Sequence, residues 1–248
     1  MRMTDMLIHV INPNSTASMT DAIANAARGA AAPGTRLLVQ NPKDNPPSLE
    51  GAADEALAVP AMLAAISAAE LEGAQAHVIA CFDDPGLHAA REIATRPVIG
   101  LCQAAIQTAM ILAGRFTIIT TLPRAIPRIE DLAARYGAGR TCAGVRAIDC
   151  PVLGLEENPE AAIEAMSAEI TRAKVQDRAE AIILGCAGMV TLGERLAARH
   201  DIPVLDGVSC AVRLAQALAG GGVMTSKIAT YAPPRMKTPI AFAHRVML

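Results

Sequence analysis

The chain has 248 residues, 52% hydrophobic and 19% charged, with a formal net charge of −2 at pH 7, which is enough for one large domain or two small ones with a sizeable core. The near-neutral charge excludes a basic nucleic-acid footprint, and three Phe, two Tyr and no Trp argue against a base-stacking platform. No apolar run reaches the ~18–20 residues needed to span a bilayer. In chain order, MRMTDM carries Asp5 and leads straight into a strand-like LIHVI, which is not a signal peptide's pattern. A cytoplasmic location is therefore expected, and the six Cys read as reduced thiols. Predicted strands follow at Leu7–Ile11, Thr35–Val39, His77–Cys81, Val98–Gly100, Phe116–Thr120, Gly144–Ile148, Ala181–Gly185 and Pro203–Leu205. Between them lie amphipathic, Ala-rich helical stretches such as Thr16–Ala31, Ala53–Glu72, Leu87–Thr95 and Ala161–Gln176. That rhythm predicts an α/β fold with mainly parallel sheets flanked by helices.

The two halves repeat one another. Apolar strands end in Cys81 and Cys186, an offset of 105 residues; Pro-Val strands begin at Pro97 and Pro203, an offset of 106. The ends of the first and fifth strands, Asn14 and Thr121, lie 107 apart. Two similar four-stranded lobes related by pseudo-two-fold symmetry are expected, lobe 1 over 1–113 and lobe 2 over 114–220. The tail, 221–248, is expected to pack back on the first lobe.

Ligands of open parallel sheets bind beyond the carboxyl ends of strands, where Cys81 and Cys186 both fall. Facing lobes would set these thiols across a cleft. Inverting a carbon next to a carbonyl needs a base on one face and an acid on the other, and a thiolate and a thiol fill those roles. The following Asp84-Pro85-Gly86 and Ala187-Gly188 open helices whose N-termini would stabilise a carbanion and lower the thiol pKa. None of Lys43, Lys174, Lys227 or Lys237 is placed for a Schiff base, so a cofactor-free reaction is expected. With no CxxC pair and no His at zinc-like spacing, no metal site is expected either.

The chain resembles the aspartate/glutamate racemase superfamily and, within it, the hydantoin/allantoin racemase branch. The resemblance rests on Ile11-Asn-Pro-Asn-Ser-Thr16 with Met19-Thr20, Ala80-Cys-Phe-Asp-Asp-Pro-Gly86, Pro97-Val-Ile-Gly-Leu-Cys-Gln-Ala104, Phe116-Thr-Ile-Ile-Thr-Thr121, Leu184-Gly-Cys-Ala-Gly-Met189 and Pro203-Val-Leu-Asp-Gly-Val208. It implies two Rossmann-like lobes, homo-oligomers, a cofactor-independent two-base mechanism with Cys81 and Cys186 as the pair, and 5-substituted hydantoin or allantoin substrates. Amino-acid racemases of this superfamily follow the first Cys with Asn-Thr and the second with Thr-His. Here Phe82-Asp83 and Ala187-Gly188 follow instead, which suits a neutral cyclic ureide. An aspartate/glutamate-type racemase, a related decarboxylase or isomerase, and a non-catalytic hinged binding protein stay open as alternatives.

Other residues have two readings each. Asn14, Ser15 and Thr16 are N-cap types, and in the resemblance their loop also lines the substrate site; Thr120 and Thr121 hold the equivalent loop of the second lobe. Asp83 and Asp84 form a paired-carboxylate signal, with Asp84 expected to cap the helix that starts near Pro85. Gly207-Val-Ser-Cys-Ala211 nearly matches a nucleophile elbow but ends in Ala, so Ser209 reads as packing. Cys102 and Cys210 read as core. His88 and His200 read as solvated helical positions.

Overall fold

In the computed structural model, which describes residues 6–235, all eight apolar runs form strands. The stretch before Met6, and the tail beyond Arg235 with Lys237 and His244, lie outside the described residues. One sheet holds β1 (Met6–Ile11), β2 (Thr35–Gln40), β3 (Ala76–Ile79) and β4 (Val98–Gly100) in the order β2-β1-β3-β4. The other holds β5 (Phe116–Thr120), β6 (Cys142–Ala147), β7 (Ala181–Leu184) and β8 (Val204–Asp206) in the order β6-β5-β7-β8. Every pairing is parallel. The same strand order twice is the three-dimensional form of the sequence repeat.

The helices are α1 (Ala17–Ala30), α2 (Ala52–Leu71), α3 (Leu87–Ile93), α4 (Leu101–Leu112), α5 (Ile126–Arg135), α6 (Gly154–Glu157), α7 (Pro159–Arg172), α8 (Gly193–His200) and α9 (Gly207–Gly220). The helix predicted over 161–176 is α7 continued by a wider π turn, Ala173–Asp177. Because side chains alternate across a strand, each sheet feeds two cores. Ile8, Val10, Ala76 and Val78 from the first sheet, and Phe116, Ile118, Ala181 and Ile183 from the second, enter one shared core with α1, α4, α5 and α9. The opposite faces pack separately, Ile11 and Ile79 under α2 and α3, Ile119, Ile182 and Leu184 under α7 and α8. His9 and His77 also sit on that outer face of the first sheet, fully buried, with their Nδ1 atoms 3.1 Å apart.

Two helices cross between the lobes. α4 follows β4 of the first sheet but packs on α5 and β7, and α9 follows β8 of the second but packs on α1, β1 and β3. The two cross close together: a Cβ at Gly207 would lie 2.8 Å from Leu101 Cβ. Packing therefore crosses the 113/114 boundary of the chain order in both directions.

By length and composition α2 is long and apolar enough to cross a membrane, with a mean hydropathy of 1.4. The expectation of no such stretch holds only for uninterrupted apolar runs, since α2 includes Asp54, Glu55 and Glu70. Its buried stripe of Ala58, Met62, Leu63, Ile66 and Ala69 packs in the fold. Glu70 Oε1 accepts from the Thr95 N–H, the Thr95 hydroxyl and the Arg96 N–H, which ties its end to the α3–β4 loop.

Candidate active site

Cys81 stands two residues beyond β3 and Cys186 two beyond β7, and both line one cleft of about 530 Å³ fed by both lobes. The backbone at each strand end is fixed by continued ladder bonds, Ala80 N–H to Ile11 O at 2.8 Å and Gly185 N–H to Ile119 O at 2.8 Å. Gly185 is required sterically: a Cβ there would meet Ile119 O at 3.0 Å and Thr120 Cα at 3.1 Å. Cys186 then starts a 3₁₀ turn, Ala187–Leu192, and its carbonyl accepts from Met189 N–H at 3.1 Å.

Asn14, Phe82, Asp83, Thr120, Thr121 and Ala187 also line this cleft. Ser15 and Gly188 are not among its lining residues. The Ser15 N–H donates to Pro46 O at 3.0 Å, and the Gly188 N–H is directed at the Cys186 thiol. Asn14, not Thr16, does the side-chain work at the start of α1: Asn14 Oδ1 accepts from Thr16 N–H and from Asn12 Nδ2, each at 2.9 Å. Its Nδ2 meets only the weak acceptor Met19 Sδ, at 3.1 Å. The sequence reading missed Met19, Leu49, Glu50, Leu122, Ala125 and Val152 as lining residues. Glu50 ties the two lobes together at the cleft, its Oε1 accepting from the Val152 N–H at 3.0 Å. Contacts spanning a hundred residues leave no local sequence signal.

The electrostatics reverse one expectation. Burial pushes the Cys81 thiol well above its ordinary value, the Asp83 charge adds to this, and the Asp83 N–H opposes it. Burial likewise pushes Cys186 up to about 12, against the Gly188 and Met189 N–H groups. Backbone donors are present as expected, but desolvation outweighs them. The paired carboxylates also differ from the expected pair. Asp83 pairs with Glu55 of α2 and not with Asp84. Arg128 of α5 binds Glu55 and sits 3.9 Å from Asp83 Oδ2. Burial raises Glu55 to about 7 and raises Asp83 as well, with Arg128 opposing both.

Asp84 caps a different helix from the one expected. α3 begins at Leu87 with Gly86 as N-cap and no side-chain cap bond. Asp84, 6% exposed, accepts instead from Cys102 N–H and Gln103 N–H of α4, both at 3.0 Å, and from the Tyr136 hydroxyl at 2.8 Å. Ser209 lies outside the cleft, and its N–H donates to Asp206 Oδ1 at 2.7 Å as part of the α9 cap. Cys102 and Cys210 are buried. His88 is hydrogen-bonded to and stacked on Tyr231, and His200 bonds Ser167 Oγ at 2.6 Å, so neither is simply solvated. The tail runs along α3, with Thr225 N–H donating to Thr95 O at 3.0 Å and Lys227 Nζ donating to Arg91 O at 2.6 Å.

Two thiols thus stand at equivalent strand ends and line one cleft between two parallel sheets of the same order. The sequence profile described as Asp/Glu/Hydantoin racemase matches residues 8–215, and the chain belongs to that family: it is a racemase. It is 56% identical over 97% of its length to a hydantoin racemase of Rhizobium meliloti, covering 99% of that protein. To a hydantoin racemase of Pseudomonas sp. (strain NS671) it is 43% identical over 94% of its length and 93% of the relative's. The allantoin racemase of Klebsiella pneumoniae superposes with a TM-score of 0.94 over 98% of this chain and all of that one, at 44% identity.

Proposed function

We propose that this racemase interconverts the enantiomers of a 5-substituted hydantoin or allantoin without a cofactor, Cys81 and Cys186 exchanging a proton at C5 of the ring. One thiolate removes the C5 proton, the charge spreads into the adjacent carbonyl, and the opposite thiol returns a proton to the other face. The roles reverse in the other direction. The observation that carries this reading is the composition of the cleft: both thiols line it, and none of its lining residues is Lys, Arg or His. A free amino acid needs a counter-ion for its carboxylate, whereas a cyclic ureide needs only donors and acceptors. Asn14 Nδ2 and the Thr121 hydroxyl supply these at 6% and 5% exposure, where desolvation strengthens each bond. Glu50 and Asp83 in the lining would repel a carboxylate further.

Optically pure 5-substituted hydantoin incubated in deuterated water tests the reading. Rotation should decay, and deuterium should enter C5 of the inverted product. Free aspartate and glutamate should be untouched. Cys81→Ser and Cys186→Ser should each reduce racemisation by at least about a hundredfold, and each should still exchange deuterium into one enantiomer only. Full activity in either variant, or turnover of aspartate or glutamate in preference to every ureide, overturns the scheme. The self-association implied by the resemblance and a cytoplasmic location are part of the proposal; light scattering of the purified chain, with more than one copy per particle expected, tests the first.

A further inference from the structure

Among the residues around the thiols, Asp83 alone lines two cavities. One is the cleft of Cys81 and Cys186. The other, about 780 Å³, lies on the far side of Asp83 and is lined by Glu55, Arg128, Asp131, Arg135 and His88 among others. The Asp83 side chain is 13% exposed and that of Glu55 16%. The two carboxylates interact with each other and could share one proton, and Arg128, bound to Glu55 and 3.9 Å from Asp83 Oδ2, balances the charge that remains. The Asp83 N–H points back at the Cys81 thiol. From thiol to second cavity the order is therefore Cys81, Asp83, Glu55, open cleft.

We propose that Asp83 and Glu55 conduct protons between Cys81 and the solvent of the second cleft, resetting the thiol after each turnover. The inference rests on the two-base reading. Inversion in one direction leaves Cys81 as thiol and Cys186 as thiolate, so the free enzyme must exchange protons before it accepts the same enantiomer again. In the reset, the Cys81 S–H bond breaks and its proton passes, through a water of the cleft, to Asp83. Asp83 hands its shared proton to Glu55, and Glu55 releases one to water in the second cleft. A proton from water joins Cys186. One proton leaves, one enters, and no bond to carbon changes. The path starts from the geometry of the cleft: both thiols are half-buried in it, Asp83 lines it beside them, and no imidazole lines it to carry the proton instead. Neither carboxylate is a catalytic residue by this account, since both act through Cys81.

The experiment compares kcat and kcat/KM of the full-length enzyme with Glu55→Gln and Glu55→Asp, on one enantiomer of a 5-substituted hydantoin, in water and in deuterated water. Abstraction at C5 precedes the reset. Glu55→Gln should therefore lower kcat by at least about tenfold while kcat/KM stays within about twofold, and it should enlarge the solvent isotope effect on kcat alone. Added formate or acetate should restore kcat of Glu55→Gln in proportion to concentration, and Glu55→Asp should keep most of the native kcat. An unchanged kcat in Glu55→Gln overturns the conduit. So does a parallel loss of kcat and kcat/KM without rescue by added acid, because that pattern reports a structural role. If Glu55→Gln does not fold, Glu55→Asp decides alone: kcat and kcat/KM both within about twofold of native support the conduit, and a parallel fall in both overturns it. Failure of the underlying reading is distinguishable, since it would show as native activity in Cys81→Ser whatever Glu55 does.

Discussion

Cys81 and Cys186 both line the cleft, and their surroundings push both thiols up from their ordinary values. Burial dominates at each, with Asp83 adding its charge at both. In the free enzyme, only a small fraction of either is thiolate near pH 7. Iodoacetamide should therefore alkylate them slowly at pH 7 and about tenfold faster per pH unit up to pH 9, because the thiolate is the reacting form. A rate that levels off below pH 8 would contradict burial as the controlling term. Asp83→Asn, which removes the nearby negative charge, should speed alkylation of Cys81 more than that of Cys186. The sequence made the two thiols legible because repeat symmetry and strand ends are both local patterns. It misjudged their pKa because desolvation depends on what covers them, and Leu49, Glu50 and Val152 reach the site from loops with no motif. Glu55 and Arg128 were invisible for the same reason, as they approach Asp83 from α2 and α5.

At the scale of elements, the repeat hides an asymmetry that only packing reveals. Gly100 precedes α4 and Asp206 precedes α9, at matching positions and with nearly the same backbone: φ −91°, ψ 150° against φ −95°, ψ 143°. In the second lobe Asp206 caps its own helix, its side chain accepting from Ser209 N–H. In the first lobe the carboxylate arrives from the β3–α3 loop as Asp84, and position 100 must be Gly because a Cβ would lie 2.3 Å from the Asp84 carboxyl. The Asp-Asp-Pro-Gly sequence pointed to a cap but not to which helix, since Cys102 and Gln103 lie beyond any local window. Asp84→Ala leaves two N–H groups and the Tyr136 hydroxyl without their acceptor, which should cost about 2–4 kcal/mol in denaturant unfolding. Gly100→Asp, severe in the native background, should recover part of that loss in Asp84→Ala by rebuilding the cap as Asp206 does. No recovery in the double variant would mean that the two caps are not equivalent.

For the whole molecule, the eight strands and their grouping into two lobes were readable because each strand is an apolar run between turn residues, but the strand order and the helix exchange were not. Nothing in α4 or α9 says which sheet it covers; both are Ala-rich with small buried faces. The exchange matters for the cleft, because each lobe's inner sheet face is closed by a helix that the other lobe's last strand delivers. The lobes are thereby locked in the orientation that turns the ends of β3 and β7, and so Cys81 and Cys186, toward one cavity. This gives a folding prediction with a direction. A fragment spanning 101–206 keeps α4 over Ala181 and Ile183 of β7, whereas one spanning 114–220 loses α4 and carries α9 away from the strands it covers. Baring the inner face of a sheet costs about 25 cal/mol for each Å² of apolar surface, and a fragment of this size has little stability in reserve. Thermal melts followed by circular dichroism should show a cooperative transition at a higher temperature for 101–206 than for 114–220. The reverse order would mean that the second sheet is closed by its own sequential helix, and the account of how the two thiols come to face each other would fall with it.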